Sequence, residues 1–161
     1  MDAHLFWRLL HILSSTVLFG TGAGIAYFAW FGYRRAVRIG EIDGLRAVLR
    51  LTVIADTAFT APAVVLQFVS GLVLMRINGW PLDSPWALAS IGLFMIVGLL
   101  WMPVIVLQVL MSGAANRAPS VAALGPAFHR SFVLWFVLGV PAFLIVIALF
   151  YLMVAKPLPL T

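Results

Sequence analysis

Four long apolar runs dominate this chain: Leu5–Phe31, Leu51–Met75, Trp86–Met111 and Phe132–Ala155, each 24 to 27 residues long. An α-helix needs about 20 residues to cross roughly 30 Å of hydrocarbon, so each run is long enough to span a bilayer. The composition leaves no other home for them. The chain is 64% hydrophobic and 9% charged, with a mean hydropathy of +1.13. A water-soluble domain of 161 residues has too small a core to hide that much apolar surface. The expected fold is all-α, a four-transmembrane-helix bundle forming a single transmembrane domain over residues 1–161.

The charges sit in the connectors and give the orientation. Arg34, Arg35, Arg38, Arg46 and Arg50 lie between the first and second runs, and Arg117 and Arg130 between the third and fourth. The other side carries only Arg8, Arg76 and Lys156. Seven against three is a positive-inside bias, which predicts cytoplasmic arginine-rich connectors and an N-out, C-out topology. The net charge of +5 thus marks topology, not a nucleic-acid surface. The chain is therefore expected to be a multi-pass membrane protein with lipid as its first partner. The first run is too long for a signal-peptide core and ends in Tyr27-Phe28-Ala29-Trp30-Phe31, not in small residues; it reads as a retained span.

There are no cysteines, which excludes disulfides, thiolate metal sites and iron–sulfur clusters. Walker, dinucleotide, zincin and hydrolase-elbow motifs are absent too, and no catalytic residue can be named. Pro62, Pro103 and Pro141 fall inside spans and predict kinks. Gly32 reads as the end of the first span, Ser84 or Asp83 as a cap of the third with Pro85 at its first position, and Trp7, Trp80 and Trp86 as an outer aromatic belt.

What remains is a small set of polar residues at membrane depth. His11 shares a helical stripe with Ser15 and Gly22 and lies roughly 9 Å below the outer boundary. An ionisable residue there is expensive and is a functional candidate by default. Two readings stay open. His11 is an axial ligand of haem b, with Met95 of the third span as a second ligand or with an open position, or it is a neutral imidazole hydrogen-bonded to Gln67, which comes level with it on the second span. His129 lies near the opposite face, on the order of 20 Å away along the normal, so the two histidines do not share one iron. Thr52, Asp56, Thr60 and Gln67 recur at helical spacing and predict one inward polar face. Asp56 comes level with Gln108 and is expected to pair with Arg130 first and His129 second, or else to serve a proton relay. Gly20 and Gly24 form a small-xxx-small pair for packing inside the bundle or for a homo-oligomer or membrane partner.

Leu10-His11-Ile12-Leu13-Ser14, Phe59-Thr60-Ala61-Pro62-Ala63, Gly79-Trp80-Pro81-Leu82, Trp101-Met102-Pro103-Val104 with Gln108, Phe128-His129-Arg130 and Phe150–Pro157 together resemble the bacterial integral-membrane family called domain of unknown function 2269. That resemblance covers the whole chain and implies a four-helix inner-membrane protein without assigning a reaction. One turn around Leu10-His11-Ile12 is also similar to the HemJ-type protoporphyrinogen oxidases, haem-binding bundles that use an intramembrane lysine. Here the lone lysine is Lys156, at the C-terminal edge. The functional readings are a haem-binding or redox-associated membrane protein, a non-catalytic accessory subunit of a larger complex, and a small proton or solute conduit.

Overall fold

The computed structural model describes residues 2–155; Lys156 and the Pro157 end of the last motif lie outside them. Four helices carry the chain: α1 (Ala3–Ile39), α2 (Ile42–Ile77), α3 (Pro85–Arg117) and α4 (Pro126–Ala155). Each is long and apolar enough to cross a membrane, and the described residues contain no strand. This is the expected all-α four-helix architecture.

The helices overrun the apolar runs. Gly32 does not close α1; the helix continues through Arg34, Arg35 and Arg38 to Ile39, because long straight side chains favour helix and no breaker intervenes before Gly40. Gly40 then takes the left-handed conformation (φ 73°) and returns its N–H to the Ala36 carbonyl at 2.9 Å, the usual glycine stop. Gly32 serves closeness instead. A Cβ there would meet the Val48 side chain at 3.2 Å, so α1 and α2 touch backbone to side chain. Ser84 is the N-cap of α3 and Pro85 its first residue, as expected.

The interior is uneven. The main apolar cluster joins Ile25, Ala29 and Ala36 of α1, Leu45 and Leu49 of α2, Met111 and Ala115 of α3, and Phe128, Phe132 and Trp135 of α4. All of it lies toward the arginine-rich end. There the first half of α2 packs on both α1 and α3. Arg46 fastens this end: its Nε donates to the Ala115 carbonyl at 3.1 Å and an Nη to the Ala118 carbonyl at 2.6 Å. A guanidinium on the last carbonyls of α3 satisfies groups that a helix terminus leaves open. Toward the other end the bundle separates into an α1–α2 pair and an α3–α4 pair. Ring contacts bridge them, Phe19 on Phe143 at 4.6 Å and Phe68 on Phe94 at 5.8 Å between centroids.

Pro62 does not simply kink α2. The turn before it, Asp56–Thr60, is a π-turn in which the Ala61 N–H reaches the Asp56 carbonyl. Widening the helix by one residue accommodates the proline, which has no N–H to offer. It also shifts the angular register of everything downstream by about 100°. Thr52, Asp56, Thr60 and Gln67 therefore do not stay on one face, with consequences for the site.

Candidate functional site: a half-enclosed chamber between the helix pairs

Where the two pairs part, all four helices line a chamber of about 440 Å³, within the range of small-molecule sites. Most of its wall is apolar: Leu18, Phe19 and Ile25 from α1, Phe94 and Val97 from α3, Phe136 and Phe143 from α4. Three glycines face it, Gly22, Gly98 and Gly139, and a Cβ built on any of them meets nothing within 4 Å. The space exists partly because those side chains are missing on three helices. Val140 and Leu144 also line it and are exposed on the bundle surface, so the rim of the chamber lies where lipid would be.

Its polar groups are unusual. Asp56 Oδ2, Thr60 Oγ1, Trp101 Nε1, Gln108 Oε1 and Trp135 Nε1 are buried without a hydrogen-bond partner. They are the buried orphans among the described side chains, and every one of the five residues lines this chamber. Asp56 is 5% exposed and Gln108 2%. Each such atom costs roughly 1–3 kcal/mol when left unmade, and in hydrocarbon no water compensates. Five in one place is a concentration that folding alone does not favour.

The π-turn explains two of them. Asp56 and Thr60 are its first and last residues, and the distortion keeps both turned toward the chamber. Beyond it the register shift sends Gln67 elsewhere, to α1. There Gln67 Nε2 donates to His11 Nε2 at 3.1 Å, His11 Nδ1 lies 2.9 Å from Ser70 Oγ, and Ser14 Oγ donates to Gln67 Oε1 at 2.6 Å. Ser70 donates in turn to the Leu66 carbonyl at 2.5 Å. This pattern assigns a neutral imidazole protonated at Nδ1, with every member satisfied. Across the ring, a Cβ on Gly71 would stand 3.3 Å from His11 Cε1; glycine admits the imidazole.

The His11–Gln67 contact expected from depth is present, and it bears on haem. Both ring nitrogens of His11 are engaged with protein, and Gly71 closes on the ring edge. Met95 is 54% exposed on the bundle surface, whereas the neighbouring Phe94 faces the chamber. The residues present do not fit an iron held by His11 and Met95. Among the described residues no group of three or more His, Cys, Asp or Glu could hold a metal ion.

Asp56 is not clamped by α4. His129 and Arg130 are exposed, His129 Nδ1 meets Tyr33 Oη at 2.8 Å, and the ion pairs among the described residues are Arg35–Glu41 and Arg46–Asp43. Depth matching missed this because α4 begins at Pro126 with His129 in its first turn, at the solvated rim, while the π-turn aims Asp56 sideways into the bundle. Gln108 does share the chamber with Asp56, as their levels suggested. Gly20 and Gly24 do not mediate close packing within the chain: a Cβ on either meets nothing within 4 Å.

Neither Trp101 nor Trp135 is among the expected site residues. One signal was available in the sequence. Both fall well inside their spans, away from the interfacial belt where an indole N–H finds water, and a tryptophan at that depth needs a partner.

Neither a curated protein nor a solved structure matches the chain. The family described as "Predicted integral membrane protein (DUF2269)" matches residues 5–157, nearly its whole length. With four membrane-length helices and that match, the chain belongs to this family of integral membrane proteins.

Proposed function

We propose that the protein is a membrane-embedded binding protein for a lipid-soluble molecule with a small polar head, working in a bacterial inner membrane with its arginine-rich connectors in the cytoplasm. One observation carries the reading: the five unpartnered buried polar atoms all line one apolar chamber whose rim reaches the bundle surface. A ligand entering from the bilayer would give those atoms partners and fill the space before the three glycines. The tight cluster at the arginine-rich end would hold the four helices while the other half parts to admit it. Haem on His11 is not part of this reading, since both imidazole nitrogens already have partners.

The test is to fill the chamber. The full chain and a Gly98→Leu/Gly139→Leu double variant would be purified in mild detergent and extracted with organic solvent, and the retained molecules counted per chain by mass spectrometry. Leucine at either position meets no atom at its Cβ and favours helix by about 0.5–1 kcal/mol over glycine, so the variant should fold and melt no lower. Wild type should retain an apolar amphiphile near one per chain, and the variant should lose it. Identical extracts from two equally folded proteins would refute the reading.

A second reading, an accessory subunit docking through Gly20 and Gly24, is favoured by the open space before both glycines. It expects a slower-migrating native complex in host membranes that Gly20→Leu and Gly24→Leu dissolve.

A further inference from the structure

The orphaned atoms restrict what kind of head the chamber takes. Trp101 and Trp135 offer N–H groups and can only donate; Gln108 Oε1 can only accept. Thr60 does either, and Asp56 accepts when ionised and donates when protonated. A head that satisfies the set must therefore both accept and donate. A lipophilic ammonium only donates and leaves both indoles unpaired. A fatty-acid carboxylate only accepts and meets Asp56. A single hydroxyl does both but reaches one place.

The polar atoms come from more than one level. Thr60 lies one π-turn beyond Asp56, on the order of 5 Å along α2, and Trp101 is two turns from Gln108, about 10 Å along α3. A polar head with oxygens at opposite ends fits that spread. The chamber wall also carries flat rings, Trp101, Trp135 and Phe136, with Phe94 two turns beyond Trp101, and such rings suit a planar ring packed face or edge on.

Resting on the binding reading above, we propose that the chamber binds a prenylated quinol, which donates and accepts and so meets the whole set, and also its quinone, which accepts from the donors and leaves Gln108 Oε1 unmet. The quinone oxygens accept from the indole N–H groups, and the quinol hydroxyls donate to Gln108 Oε1 and Asp56. The prenyl tail leaves along the apolar wall past Val140 and Leu144, which are exposed at the rim.

The full chain, freed of lipid and placed in phosphatidylcholine nanodiscs, would be titrated with decylubiquinone and with its reduced quinol, reading tryptophan fluorescence and melting temperature. Saturable binding of both forms is expected. Gln108→Leu should weaken the quinol about tenfold and the quinone less, Trp101→Phe the reverse, a tenfold change being one hydrogen bond. The chamber-filled Gly98→Leu/Gly139→Leu variant should bind neither. Dodecyltrimethylammonium should not compete. Competition by that cation, or effects of Gln108→Leu and Trp101→Phe that ignore the redox form, overturns the quinone assignment. If decylubiquinone fails to saturate while the filled variant still loses its copurifying amphiphile, the quinone class is wrong and the binding chamber stands. If the filled variant also retains that amphiphile, both fall.

Discussion

Alanine at position 71 should cost nothing in itself and yet destabilise the protein through one histidine. Gly71 lies in the interior of α2, where alanine is the better helix former by as much as 1 kcal/mol. Its Cβ would stand 3.3 Å from His11 Cε1, closer than a carbon pair's optimum of about 3.5–4.0 Å. The imidazole has nowhere easy to go. Nδ1 is held to Ser70 Oγ at 2.9 Å and Nε2 to Gln67 at 3.1 Å, so a few tenths of an ångström of ring movement stretches both bonds. Interhelical hydrogen bonds in membranes average about 0.6 kcal/mol and reach 1.7; weakening two of them gives a cost of roughly 1–2 kcal/mol. His11→Ala removes both bonds outright and should cost a similar 1–3 kcal/mol, with Gln67 keeping Ser14 and Ser70 keeping the Leu66 carbonyl. The double variant is the decisive one. Without the ring, Gly71→Ala should become neutral or stabilising, a coupling of about 1–2 kcal/mol between the two sites. Reversible unfolding in mixed detergent–SDS micelles, followed by far-UV circular dichroism, measures all four corners of the cycle. Additive effects, within about 0.3 kcal/mol, would refute the assigned packing of His11 on α2. The visible spectrum should be the same at every corner, because no ring nitrogen is left for iron.

Arg46→Gln should lower stability by roughly 1.5–3 kcal/mol, the worth of a charged hydrogen bond, because it unfastens α2 from the Ala115 and Ala118 carbonyls. Asp43→Asn should cost under about 0.5 kcal/mol, since its bond to Arg46 is a solvated ion pair, and equal effects in the same unfolding assay would count against this account. For orientation, a reporter fused at residue 42 should read cytoplasmic and one at the C-terminus external, from the seven-to-three bias of Arg and Lys; alkaline phosphatase activity at residue 42 would reverse it.

The four helices follow from the chain itself. Runs of 24 to 27 apolar residues have one way to satisfy their backbone in hydrocarbon without a partner, and helices do so segment by segment. The His11–Gln67 contact was legible for the same reason: a short count of residues from each membrane boundary gives depth, and depth brings two polar groups level. The sequence also marked Asp56 and Gln108 as costly at that depth.

Direction around a helix axis is a different matter. The π-turn ahead of Pro62 rotates the rest of α2, sending Gln67 to His11 while Asp56 and Thr60 look into the chamber, and periodicity counted at a constant 100° cannot register an inserted residue. The expected clamp of Asp56 on Arg130 or His129 is not formed, and the Asp56 carboxylate instead faces the chamber. Gly22, Gly98 and Gly139 read along the chain as ordinary membrane glycines; they become the walls of a cavity only when three helices bring them to face one another. The indoles of Trp101 and Trp135 read as bulk, and their unpaired N–H groups exist only relative to neighbours that fail to reach them. Length and hydropathy are properties of a segment and survive in the sequence; a void, and the polar atoms left unpaired inside it, are properties of how four segments are set against each other.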